Sequence, residues 1–431
     1  MRTVRVLACI LFLLPGALYA QQPAPPDTKD ERLKALEERV RALEAEIQAL
    51  KATCCAAAAP ASAAAVIPEP IPATQVAQVP VSVPGAGGAQ LPVYGGATSA
   101  AKALNPDISV IGDFLGAVGR DHVRSAGFAA PVGPVRPLEL HESELAFQAI
   151  IDPYARGDFF FSFGESGVNV EEGYLTFTGL PGGFVAKVGK MRAAFGKVNT
   201  IHNHALEWVD RPMVTDNLVG GEDGIDDAGL SVSRILPAPK GIFLEATGQV
   251  YRGDSSNVFT ASRRQDVSYV AHLRGYSDLS ESTNLDLGFS YARGHNDVGS
   301  DFLTQLYGLD ATLRWKPLRR AIYHSFLART ELVWSRRDQL PLMQKAFGFY
   351  TSAEYRLNRR WTVGGRYDRT GRPRQADLTD DGFSALLTYW PSEFSQVRGQ
   401  YRFARYAEGL DANELRFQFL FVLGAHGAHP F

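Results

Sequence analysis

The sequence predicts an all-β fold: a closed antiparallel transmembrane β-barrel of about sixteen strands, preceded by a short periplasmic coiled-coil helix. Three observations predict it. Near the C-terminus Leu415, Phe417, Phe419 and Phe421 alternate with Glu414, Arg416 and Gln418, and the chain stops on Phe431. In lipid such a strand needs a closed barrel, with the apolar face outward and the polar face toward a lumen. The connections between such segments fall into two classes, short and long, that alternate along the chain. Finally, the chain starts with a secretory signal, and no later stretch is long and apolar enough for a transmembrane helix.

The signal comes first. Arg2 and Arg5 precede an apolar run from Val6 to Leu14, Pro15 and Gly16 break it, and Ala17-Leu18-Tyr19-Ala20 supplies small residues for cleavage, so residues 1–20 are expected to be removed. Val6-Leu7-Ala8-Cys9 has the look of a lipoprotein box, but too few residues precede it and the apolar run continues past it.

Residues 30–52 are the coiled coil. Leu33, Leu36, Val40, Leu43, Ile47 and Leu50 step by three and four among Glu, Arg, Lys and Ala. A lone helix of this length is marginal in water, which favours a coil between protomers. Val40 and Ile47 at a with Leu at d lean toward two strands. Arg32-Leu33-Lys34-Ala35-Leu36-Glu37 and Arg39-Val40-Arg41-Ala42-Leu43-Glu44 lean toward three, the Arg stem covering the core and its head meeting Glu on the next helix. A homotrimer through coil and barrel walls is the expectation. Cys54 and Cys55 follow in an oxidising compartment, as inter-chain disulfides or as free or capped thiols; adjacent cysteines bridge each other poorly. Residues 53–104, rich in Ala, Pro, Gly, Val and Gln, form a linker that cannot build a core.

Residues 105–431 are the barrel. Short turns fall at Asp152-Pro153-Tyr154, Leu180-Pro181-Gly182-Gly183, Pro237-Ala238-Pro239-Lys240, Lys316-Pro317-Leu318-Arg319, Leu357-Asn358-Arg359-Arg360 and Trp390-Pro391-Ser392. Longer polar connections fall near 120–137, 193–226, 252–266, 294–302, 336–341, 371–381 and 407–412. Short periplasmic turns facing long extracellular loops is the asymmetry of such barrels, and an even strand number keeps both termini in the periplasm. Val397, Gly399, Tyr401 and Phe403 alternate with Gln396, Arg398, Gln400 and Arg402; Leu285, Leu287, Phe289 and Tyr291 alternate with Asp286, Gly288 and Ser290. Trp315, Trp361 and Trp390 lie beside turns, where an interfacial girdle belongs.

Glu142-Ser143-Glu144-Leu145-Ala146-Phe147 leading to Asp152-Pro153-Tyr154, then Val188-Gly189-Lys190-Met191-Arg192 and Phe195-Gly196, together with signal, coil, linker and barrel, resemble the phosphate-selective porin O and P family. The resemblance implies a trimeric diffusion pore in the outer membrane of a Gram-negative-type bacterium, and a lumen rich in lysine and arginine. This chain departs from the second point. Nine basic and eight acidic residues precede position 105, leaving 35 basic against 38 acidic in the barrel. The near balance of 44 Lys and Arg with 46 Asp and Glu in the whole chain also gives no basic excess for nucleic acid.

The longest connection, 193–226, is expected to fold inward and narrow the channel. It carries Glu207, Asp210, Asp216, Glu222, Asp223 and Asp226. Later strands offer Arg329, Arg356, Arg366, Arg398, Arg402 and Arg416 as an inward basic wall. An acidic loop facing that wall sets a transverse field on passing solutes; the alternative is local pairing of the arginines with Glu331, Glu354 and Glu414. His202 and His204, with Asp210 as the first extra ligand, have a spacing suited to a transition metal, as do His426 and His429. No Gly-x-Ser-x-Gly, His-Glu-x-x-His or phosphate-cradling loop occurs, so neither catalytic residues nor a cofactor are expected. The expected function is passive diffusion of small polar or ionic solutes. The alternatives are a closed structural tether and a metal-selective uptake channel.

Overall fold

The computed structural model describes residue 41 and residues 106–121, 137–165, 167–255, 258–407 and 409–424. The signal, the coil apart from the helical Arg41, Cys54 and Cys55, the linker, His426, His429 and Phe431 lie outside the described residues.

The strands run in chain order: β1 Asp107–Asp121, β2 Glu139–Leu140, β3 Ser143–Asp152, β4 Ala155–Gly164, β5 Gly167–Phe177, β6 Phe184–Arg192, β7 Asp226–Leu236, β8 Ile242–Tyr251, β9 Ser268–Ser280, β10 Thr283–Asn296, β11 Gly299–Trp315, β12 Ser325–Arg337, β13 Gln344–Arg356, β14 Trp361–Gly371, β15 Thr379–Ser392, β16 Ser395–Arg405 and β17 Asp411–Gly424. Each pairs antiparallel with its neighbours. β2 and β3 both pair with β1 as two pieces of one stave, giving sixteen staves. The seam is closed by β1 against β17, from Ser109 opposite Gly424 to Asp121 opposite Ala412. Closure leaves no sheet edge, the condition for strands to sit in lipid.

Side-chain alternation sorts the two faces. Phe289, Phe383, Phe417 and Phe419 are exposed on the outside, while Gln400, Arg402, Glu414 and Gln418 are buried inside. Two connections differ in length from expectation. Asn296 and Gly299 are joined by a tight turn in which the Asn296 carboxamide accepts from the Val298 N–H, so the strands run nearly to its tip. The connection after Trp315 is longer and runs to Ser325, through a turn held by Arg320 N–H on the Pro317 carbonyl. Trp361 stacks on Tyr389 near the turn end, ring centroids 4.6 Å apart, as a girdle requires. Trp390 instead lines the interior, because it follows the outward Tyr389 in a strand whose even-numbered residues Ser384, Leu386 and Thr388 all face inward.

The main apolar core lies inside the barrel. The connection from β6 to β7 follows the fifth stave and folds inward. Its Phe195, Val198, Leu206, Val214 and Leu218 pack on Tyr251, Val270, Leu306, Val333 and Tyr350 of β8, β9, β11, β12 and β13. Val258 and Phe259 of the next loop join them. Burying these side chains in the lumen removes apolar surface from water and fixes the loop as a packed object.

Candidate functional site

Two devices hold the inward loop in shape. Its ends are joined by Asn199, whose amide donates to the carbonyls of Ala193 (2.9 Å) and Ile225 (3.1 Å) and accepts from the Ile225 N–H (2.8 Å). Arg211 braces the middle, donating to the carbonyls of Val198 and Ile201 and to the Asn203 side chain. The wall then satisfies backbone donors that a loop cannot satisfy itself. Glu331 of β12 accepts from the N–H groups of Lys197 (2.9 Å) and Val198 (2.7 Å). Ser290 accepts from Gly196, Gln249 from Ala194, Gln400 from Val209 and Asp368 from Met213. Gly196 sits at φ +61° with Glu331 where a Cβ would be, so this position takes glycine for both backbone and space.

The acidic loop and the arginine wall touch. Glu207 forms a two-pronged pair with Arg329, at 2.7 and 2.9 Å. Asp210 lies against Arg366 (2.9 Å), Arg402 (3.1 Å) and Arg416 (3.7 Å) and accepts from Gln400 (2.6 Å). Trp208, between the two acids, lies against the Arg366 guanidinium at 5.0 Å. Burial pushes both carboxyls up, and the guanidiniums more than reverse it. Arg329 thus holds Glu207, and Arg366, Arg416 and Arg402 hold Asp210, below the usual carboxylate range. Arg402 and Arg416 also share Glu414. Arg398 donates to Gln418 and to the Trp208 carbonyl.

The other predicted residues are dispersed. Asp216 sits on the π-turn Thr215–Val219. Glu222 is exposed and lies 3.5 Å from His141. Arg192 donates to the backbone carbonyls of Glu222 and Asp223. Asp226 pairs with Lys190 at 2.9 Å. Arg356 faces a cavity of about 750 Å³ bounded by the loop and the turn-side half of the barrel.

The histidines meet glutamates that sequence reasoning did not single out as ligands. His202 contacts Glu144 of β3 through Nδ1 and Glu172 of β5 through Nε2, the latter at 2.9 Å. Burial pulls this imidazole down, and the two glutamates more than reverse that, to about 10. The His204 ring lies 5.8 Å from it, edge-on, with Glu144 3.7 Å from its Nδ1. Asp210, the expected extra ligand, is engaged with the arginines instead. Glu172 reaches the lumen through a β-bulge. Phe160 pairs with Glu172 and Phe161 with Val170, so Glu171 has no partner opposite, and both acids are buried. A sequence signal exists. Strict alternation after Val168 and Val170 would put Glu172 in lipid, and a bulge is the relief.

The same cavity is lined by eight basic side chains against four acids. Burial, together with the like charges of Arg274 and Arg329, draws the Lys197 ammonium below its usual range.

No family model matches the sequence. Among solved structures the barrel superposes on the outer membrane channel DcaP of Acinetobacter baumannii, with a TM-score of 0.50 and 13% identity over 77% of this chain and 100% of that one. It also superposes on OmpF of Salmonella typhi in complex with daunomycin, with a TM-score of 0.50 and 10% identity over 75% and 99%. These likenesses establish a porin-like fold. An uncharacterized protein of Aquifex aeolicus (strain VF5) is 30% identical over 384 residues, spanning 77% of this chain and 81% of that protein. At that identity and coverage the chain belongs to the same family as the Aquifex aeolicus protein.

Proposed function

We propose that the protein is an outer-membrane porin, trimeric through its coil and barrel walls, that passes small polar or ionic solutes by diffusion without chemistry on them. The observation that carries this reading is the charged cavity of about 750 Å³ beneath the inward loop, inside a barrel whose outer face is apolar. The clamps at Glu207 and Asp210 neutralise charge where loop meets wall. What remains to act on a solute is the basic lining around Lys197, Arg314, Lys316 and Arg356. In a narrow, low-dielectric passage that excess draws anions. Single-channel recording in a planar bilayer tests the proposal. Stepwise openings grouped in threes, with a reversal potential under a salt gradient that marks anion preference, are expected.

A second reading has its own support. The loop packs an apolar core into the lumen, which is how a barrel is closed, and a closed barrel with a coil and linker is a tether. A correctly folded barrel that carries no current would overturn the pore and favour the tether.

A further inference from the structure

The niche around His202 gathers acidic side chains from β3, β5 and the segment before β3. Glu142, Glu144, Glu171 and Glu172 converge there. Glu142 accepts from Asn203 (2.6 Å), Glu171 lies 3.4 Å from Arg192, and Glu172 accepts from the Arg192 backbone N–H. Four carboxylates, Glu142 only half-buried, face the Arg192 guanidinium and the two imidazoles, with Arg211 on the far side of Asn203. Buried charge at this density needs a further partner. Glu144 marks where it belongs. This side chain is 1% exposed, and its Oε1 is buried with no hydrogen-bond partner.

We propose that Glu144, His202 and His204 bind a divalent transition-metal ion, with Glu171 as fourth donor, so that the metal staples the inward loop to β3 and β5. The donor atoms of the first three lie within 4.8 Å of one another. Glu144 Oε2, the oxygen that also contacts His202, stands 3.7 Å from His204 Nδ1, and Glu171 stands 3.6 Å from His202 Nδ1, which leaves Oε1 of Glu144 as the oxygen without a partner. Zinc bonds of about 2.0–2.1 Å in a tetrahedron set neighbouring donors roughly 3.4 Å apart, so these two pairs are near that spacing, while the closer His202–Glu144 contact has to open to admit the ion. Two imidazoles with carboxylates select zinc and its first-row neighbours over calcium or magnesium, which take oxygen ligands. On binding, the metal replaces the proton on the His202 nitrogen that faces Glu144, and that proton leaves to solvent. Glu172 stays on the far ring nitrogen and orients the imidazole, as second partners of ligating histidines do. Phe160 holds the ring from its edge, centroids 5.0 Å apart. His202, His204 and Glu172 line the cavity, which gives the ion a way in.

The test is calorimetric titration of zinc chloride into the full chain in detergent, carrying Cys54→Ser, Cys55→Ser, His426→Ala and His429→Ala to remove competing thiols and imidazoles. One zinc per chain is expected at this site, with protons released, and no calcium binding at it. Glu144→Gln and His204→Ala should each weaken that zinc by tenfold or more. Unchanged zinc binding in the folded variants, or none in the parent chain, overturns the proposal. Glu144→Gln keeps size and hydrogen bonding if His204→Ala fails to fold. Should both fail, the zinc absorption edge of the parent barrel decides. Imidazole scattering supports the site, and a shell of water oxygens alone refutes it. Failure of this site leaves conductance untouched as a question, because an open pore needs no metal.

Discussion

Asp210 is the residue on which the inward loop depends most. Its carboxylate meets three buried guanidiniums on β14, β16 and β17, which share Asp368 and Glu414 besides, and none of those arginines can withdraw into water. Removing one partner of a buried ionic cluster costs about 3–5 kcal/mol, because the cations left behind stay desolvated. Asp210→Ala is therefore expected to lower the melting temperature of the detergent-solubilised barrel and to open the loop to protease. A melting curve and digestion pattern like those of the parent would refute this. The residues of this cluster were legible one by one: Arg366, Arg402 and Arg416 fall on inward positions of their strands, and Asp210 falls in the longest loop. Their meeting was not, because it depends on where a thirty-residue excursion lands on strands some 190 residues away.

The loop as an element is held by charge on one side and by packing on the other. The charged side has a definite pH range. Glu207 and Asp210 are both held below the usual carboxylate range in the fold. Their contribution is complete above the unfolded values, near pH 4. It is lost only as pH falls through the lower folded values. Conductance recorded from pH 7 to pH 4 is thus expected to show no clamp-dependent transition, with loop release confined to stronger acid. A transition near pH 5 that disappears in Asp210→Asn would contradict it. The strands themselves were readable because a period of two and local turn chemistry need only neighbouring residues. The bulge at Glu171 was readable only in hindsight, from a pattern that would otherwise bury an acid in lipid. Trp390 shows the converse, since its place beside a turn suggested a girdle residue while the period of two along β15, with Phe383 and Leu387 outward, puts it inside.

At the scale of the whole molecule the barrel is turned inside out relative to a soluble protein, with its phenylalanines outward and its charges within. Phe289 lies near the middle of β10 and is 48% exposed. Phe289→Arg puts a cation into the hydrocarbon core at a cost of about 2–4 kcal/mol. Reduced yield of folded barrel in lipid vesicles, with little change in the inward loop's protease pattern once folded, is the expected result. Equal insertion of variant and parent would place this face away from lipid. The interior has a further consequence for assembly. The wall that receives the loop includes β16 and β17, so it exists only after the last strand has joined β1. If that seam joins one residue out of step, the inward faces of β1 and β17 no longer match and the Gln418 amide loses the Asp113 carboxylate to which it donates across the seam. The buried excursion thereby ties the middle of the chain to its last strands, so that loop and cylinder are completed together.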